Sequence, residues 1–322
     1  MQRFLGRPTV MLFLKTLVSL GLLLFLFSRI DLRELFRELY AAHISYLIIV
    51  LAGYFIGQVI SSLRWVLLAR LFGFQNPFKD FFVFYFIGMF FNLFAPSTVG
   101  GDVGRVYFLA RENLDQGSRK WAGSMGKALG SVIVDRAVGM VVLVGIAVTA
   151  LVIFPAYSLP ATIRYATFGL ALGILLSCLL LPAIRRAVAG GSHPIVQNFA
   201  LALEVYTSGG RVLVKTALLS LAIHSIQAAS HVLVGWSLDL TIPWSYSFIL
   251  YPLVGMFMAI PVSFNGIGLR EGGYLFMLRR IDVSSEKAVA FGLLWFAIVA
   301  VDSMIGGLIF VARKNRGLQP AL

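Results

Sequence analysis

Cysteine occurs once in the 322 residues, at Cys178 within an apolar run, which excludes a disulfide framework and a cysteine-based metal site. Histidine is also scarce, and His43, His193, His224 and His231 fall into no zinc-ligand spacing. The chain has no Gly-x-x-x-x-Gly-Lys-Ser/Thr, no His-Glu-x-x-His and no Gly-x-Ser-x-Gly. The signatures of nucleotide-driven pumps, zinc proteases and serine hydrolases are therefore missing, and neither a metal nor another cofactor is expected. Charge is thin at 13% of residues, and acids are the scarcer sign, 14 against 27 lysines and arginines. No polar stretch is long enough to build an independent soluble core.

What is abundant is apolar surface. Hydrophobic residues make up 59% of the chain and the mean hydropathy is +0.88, more than one soluble core could hide. The apolar runs are continuous and about twenty residues long, which suits membrane-spanning helices rather than the alternating segments of a β-barrel. The expected fold is an all-α polytopic membrane protein. Its basic residues stand at the ends of apolar runs, so the net charge of +13 points to anionic lipid headgroups and not to nucleic acid. The first run is too long for a signal-peptide core and no cleavable signal is expected. Arg3 and Arg7 before it place the N-terminus in the cytoplasm of a cell (inner) membrane by the positive-inside rule.

Two stretches interrupt this apolar pattern in the same way. Residues 90–111 read FFNLFAPSTVGGDVGRVYFLAR and residues 256–274 read MFMAIPVSFNGIGLREGGY, with Pro261, Gly266 and Arg270 repeating the spacing of Pro96, Gly101 and Arg105. Downstream, Asp135-x-x-x-Gly139 and Asp302-x-x-x-Gly306 follow the two prolines at nearly equal distances. These matches predict an internal duplication, 1–160 and 161–322. Each copy is expected to hold three spans and one re-entrant hairpin, at about 78–110 and 246–278. Bent membrane helices carrying Pro and Gly are the plainer alternative.

In chain order, the expected spans are 9–27, 44–68, one ending near 154, 165–181, 212–238 and one ending at 311. Amphipathic interfacial helices are expected at 30–40 and around 195–203. The basic tail of Arg313, Lys314 and Arg316 puts the C-terminus in the cytoplasm too, so the second hairpin enters from outside and the copies are inverted. That arrangement leaves Arg279, Arg280 and Lys287 facing outside, only partly offset by Asp282 and Glu286.

Ionisable residues within the apolar regions need a partner or a cavity. Asp135, Arg136 and Asp302 are candidates for charge or proton coupling, together with Asp102 and Glu271; a structural ion pair of Asp135 with Arg136, Arg105 or another arginine, and helix-dipole compensation for the last two, are the alternatives. Asp302 lacks an adjacent arginine, so Arg270 or a protonated state is its natural recourse. Gly100, Gly101, Asn265 and Gly266 precede short helices whose free N–H groups suit a lipid phosphate, with Arg105 and Arg270 as clamps. The glycines alternatively only let the hairpins turn. Arg64 either joins this substrate site or snorkels to the interface. His224 and His231 read as packed polar residues.

The motif Pro96-x-x-x-Gly100-Gly101-Asp102-x-x-Arg105, with Asp135-Arg136-x-x-Gly139, Asn265-Gly266-x-Gly268-x-x-Glu271 and Leu63-Arg64-Trp65, resembles the lysylphosphatidylglycerol synthase transmembrane-domain family over nearly the whole chain. That family includes the flippase portion of the bacterial multiple peptide resistance factor. The resemblance implies a role in moving or presenting lipids, phospholipids or lipid-linked glycans. It does not imply lysyl transfer, which in the resistance factor belongs to a separate soluble domain not expected here. Two other readings stay open: a membrane-embedded glycosyl or phosphoryl transferase using the acids Asp31, Glu34 and Glu38, and a non-transporting scaffold for a lipid-synthesis enzyme.

Overall fold

The computed structural model describes residues 7–94, 100–115, 121–188, 209–259, 263 and 266–314. Pro96, Pro261, Asn265 and the second amphipathic segment fall outside them. The described residues form helices and no strand: α1 (Arg7–Phe27), α2 (Leu32–Ala41), α3 (Ile44–Leu71), α4 (Phe78–Phe94), α5 (Gly100–Asp115), α6 (Trp121–Ile153), α7 (Ala161–Val188), α8 (Gly210–Ser237), α9 (Trp244–Ala259), α10 (Leu269–Leu278), a short 3₁₀ turn, and α11 (Ser285–Lys314). Five stretches, Ile44–Leu71, Gly123–Ile153, Ala161–Ile184, Gly210–Ser237 and Ser285–Arg313, are long and apolar enough to cross a membrane. α1 covers the first expected span, with Lys15–Phe27 as its described apolar part.

α2 is the amphipathic helix expected from 30–40. Asp31 caps it by accepting from the backbone N–H groups of Arg33 and Glu34. Its Leu35 is buried while Phe36 and Tyr40 are exposed.

The centre of the bundle is the pair α3 and α8, which run antiparallel. His43 meets Asp239 at one end, Gly53 faces Ser230 in the middle, and Arg64 reaches Ser220 toward the other end. A Cβ on Gly57 would lie 3.4 Å from Gln227 Nε2, so small residues set the close approach of the two helices.

Two helix pairs fold back on themselves beside this spine. In the first, Phe84 stacks on Phe108 with centroids 5.7 Å apart, while a Cβ on Gly101 would overlap the Gly88 carbonyl oxygen. In the second, the Tyr246 hydroxyl donates to the Met277 carbonyl and Val254 packs on Gly273. Both pairs also pack across the molecule, α4 against α11 and α9 against α6.

Polar contacts gather at the two ends of the bundle. At one end Lys287 reaches Glu38 (3.5 Å) and the Leu238 carbonyl (2.8 Å), Arg280 donates to the Ser158 carbonyl, and Asp31 N–H donates to Glu286. Arg280 and Lys287, two of the basic residues left unbalanced in the sequence, thus find acceptors on α2 and the neighbouring loops. At the other end Arg313 pairs with Glu112 (2.8 Å), which also accepts from Asn76.

Candidate functional site

Asp135, midway along α6, is 1% exposed and accepts from two arginines. Arg64 Nε of α3 lies 2.8 Å from Oδ1, and Arg105 Nη2 of α5 lies 3.1 Å from Oδ2. A carboxylate isolated at this depth would be strongly disfavoured, and two guanidiniums supply the partners that water would give elsewhere. Arg64 therefore does not snorkel to the interface; it is buried and also donates to Ser220 (2.9 Å). The residue adjoining Asp135, Arg136, points elsewhere. Its Nε and Nη2 both donate to Asp102 at 2.9 Å, and Asp102 also accepts from Arg105 Nη1 at 3.2 Å.

These five side chains form one connected cluster. Three guanidiniums against two carboxylates leave one positive charge in surplus. Arg136 marks its open end, with 53% of its side chain exposed. The flat faces of Trp65 and Tyr85 sandwich the Arg105 guanidinium, 4.2 and 4.5 Å from its carbon, and Arg105 Nε finds no hydrogen-bond partner among the described residues.

The local sequence makes the cluster possible. Asp135 and Gly139 are one helical turn apart and share a face. A Cβ on Gly139 would sit 3.2 Å from Arg64 Nη1, so the glycine leaves room for the guanidinium that its neighbour binds. The Gly139 carbonyl accepts from His224 Nε2 (3.0 Å) on α8, whose other ring nitrogen contacts the Tyr251 hydroxyl (2.9 Å). In the second Asp-x-x-x-Gly motif, Gly306 makes space for backbone instead: a Cβ there would overlap the Phe86 carbonyl of α4.

The second hairpin holds a separate ion pair. Arg270 donates through Nε and Nη2 to Glu271 (2.9 and 2.7 Å) and lies over Phe296. It does not reach Asp302. Glu271 also accepts from the Gly268 N–H (2.8 Å), capping the start of α10. On the first hairpin Asn92 accepts from the Gly101 N–H (2.7 Å). Each short helix therefore already has a side chain on an N-terminal donor, where the sequence suggested vacancy. Gly266 has φ +74, a conformation that favours glycine, and its carbonyl accepts from Arg270 N–H (2.8 Å).

Two buried histidines on α8, read from sequence as packed polar residues, connect the clusters. His224 touches the Arg64 side, and His231 contacts the Tyr274 hydroxyl (2.7 Å) beside Arg270 and Glu271. Sequence reasoning passed over the tyrosines altogether. Tyr54, Tyr85 and Tyr251 come from α3, α4 and α9 and lie within electrostatic reach of one another, and Tyr54 within that of Arg136 and Asp302. Each is a single hydroxyl in a run of apolar residues, the only signal that would have exposed it.

The acids offered for a transferase are otherwise engaged. Asp31 caps α2, Glu34 pairs with Arg37 (2.7 Å) and Glu38 with Lys287.

A multi-pass helical membrane protein with a net-positive ion cluster enclosed where its helices converge is the class these features define. The chain belongs to the family described as the lysylphosphatidylglycerol synthase TM region, whose profile matches residues 12–306. No curated protein matches it significantly.

Proposed function

We propose that this chain moves a phospholipid or lipid-linked glycan between membrane leaflets. The observation that carries the reading is the surplus positive charge of the Arg64, Arg105, Arg136, Asp102 and Asp135 cluster, open at Arg136. A lipid phosphate cannot cross hydrocarbon without groups to replace its water. Arg136, half open, offers paired N–H donors to phosphate oxygens, and the acyl chains stay in the surrounding lipid.

The inverted duplication is part of the proposal. Its supports are the antiparallel pairing of α3 with α8, the two fold-back pairs, and the crossed packing of α4 on α11 and α9 on α6. α4 and α9 have 17 and 16 residues, so at about 1.5 Å per residue each falls short of about 30 Å of hydrocarbon. They suit hairpins that enter and return, one from each side, with α1 as the sixth span and both termini in the cytoplasm of the inner membrane. Two related halves provide two packings, one open to each side.

The test is reconstitution into liposomes with a panel of acyl-chain-labelled lipids, reading the fraction reached by a membrane-impermeant quencher. Translocation above that of empty liposomes is expected for at least one headgroup. Protection equal to empty liposomes for every lipid, with folded protein, overturns the proposal.

A further inference from the structure

Asp302 is the anomaly of the molecule. It lies on α11, is 1% exposed, and its Oδ2 has no hydrogen-bond partner among the described residues. Asp135, heading the same motif in the first half, holds two guanidiniums. The arginine that sequence spacing offered to Asp302 is committed to Glu271. A buried carboxylate left in this state favours the arrival of a cation.

The surroundings indicate which cation. Tyr54 stands within electrostatic reach of Asp302 and of Arg136, with Tyr85 and Tyr251 beside it, and its ring meets Trp295 of α11 edge-on at 5.7 Å. Trp295 lies about two turns before Asp302 on the same face of α11, and aromatic rings together with a carboxylate suit an organic ammonium, attracted by the ring quadrupoles as well as by the charge. A hard metal ion would instead want several oxygen ligands, and no cluster of three or more His, Cys, Asp or Glu exists among the described residues.

We propose that Asp302 and the tyrosines around Tyr54 bind the cationic group of the substrate, making that substrate a zwitterionic phospholipid whose headgroup pairs one phosphate with one ammonium. This rests on the lipid-transport reading above and names its substrate class. The charges balance one to one. The surplus positive charge at Arg136 meets the phosphate, and the unpaired carboxylate of Asp302 meets the ammonium. An anionic lipid with a glycerol headgroup leaves Asp302 unpaired. A headgroup with two ammonium groups brings one more charge than the site neutralises.

The experiment compares acyl-chain-labelled phosphatidylethanolamine and phosphatidylglycerol in proteoliposomes holding wild-type protein or Asp302→Asn. Wild type is expected to move the ethanolamine lipid at least tenfold faster, and the ratio is expected to fall to about one in Asp302→Asn. Should that variant not fold, as judged by gel filtration, Tyr54→Leu is read the same way. A wild-type ratio near one, or a variant that slows both lipids by the same factor, overturns the zwitterion assignment while transport stands. Movement of neither lipid, nor of any other in the panel, by folded wild-type protein overturns transport itself and this assignment with it.

Discussion

The Arg64 guanidinium lies against Gly139, near enough that a methyl group on residue 139 would stand 3.2 Å from its Nη1. One turn of α6 thus supplies both the anion, Asp135, and the space for its partner. Asp135→Asn is expected to destabilise the protein by about 3–5 kcal/mol, because it leaves Arg64 and Arg105 buried without their shared counter-charge. Asp102→Asn is expected to be milder, since Arg136 keeps half its side chain open. Thermal unfolding of the detergent-solubilised variants ranks the two; the reverse order removes Asp135 from the centre of the cluster.

Arg136→Gln is expected to retain the fold and reduce lipid translocation at least tenfold in the liposome assay. Arg136 is the exposed member of the cluster, so its loss subtracts charge without opening a buried void. Unaltered transport would detach the cluster from the substrate.

Gly306→Ala is expected to be among the most damaging small substitutions, on the order of 3 kcal/mol, the upper end for overpacking. Its obstacle is the Phe86 backbone carbonyl, which no rotamer change can move aside. Gly145→Ala, where a Cβ meets nothing within 4 Å, is expected to be neutral or to stabilise by about 0.5–1 kcal/mol. Melting temperatures of the pair decide whether α4 and α11 touch as closely as described.

Single cysteines at Lys79 and Ser284, in a Cys178→Ser background, are expected to react with an impermeant maleimide from opposite sides of the membrane. Both positions are exposed, one where α4 begins and the other just before α11. Labelling of both from one side breaks the inverted arrangement.

Glu112 lies outside the five candidate spans. Burial, which Arg313 opposes and Asp80 reinforces, holds its carboxyl above the ordinary glutamate range. The folded protein therefore binds this proton more tightly than the unfolded chain. Its stabilising effect is full below the unfolded value of about 4.3 and is lost as pH rises through the folded value. Glu112→Gln, which fixes the neutral form, is expected to flatten the fall in melting temperature above about pH 4.3; an unchanged slope assigns that fall to other groups.

The helices were legible because hydrophobic run length is a local property. Gly101 and Gly306, singled out by spacing, proved to be contacts where a Cβ would overlap a carbonyl oxygen. The partners of the charges were legible only in part: Arg105 was one of the arginines on offer to Asp135, and it binds there. Asp135 takes Arg64 of α3, not the adjacent Arg136, because neighbouring residues on a helix point in different directions. Asn92 on Gly101 N–H and Glu271 on Gly268 N–H likewise depend on the fold of each hairpin. The tyrosines escaped notice because nothing local separates a hydroxyl destined for the centre from one destined for the lipid interface.

The polar contacts at the two ends of the bundle differ in kind from the spine between them. Lys287 with Glu38 at one end and Arg313 with Glu112 at the other are partly buried, while Arg280 with Ser158 and His43 with Asp239 lie on exposed side chains. Contacts of this sort contribute about 0–1 kcal/mol apiece and exchange readily for water. The α3 and α8 spine, by contrast, packs with Gly53 and Gly57 against side chains of α8 at ordinary contact distance. At the end that carries Arg280 and His43, the exposed contacts are therefore the ones that water replaces first, while the packing of α3 on α8 does not depend on them.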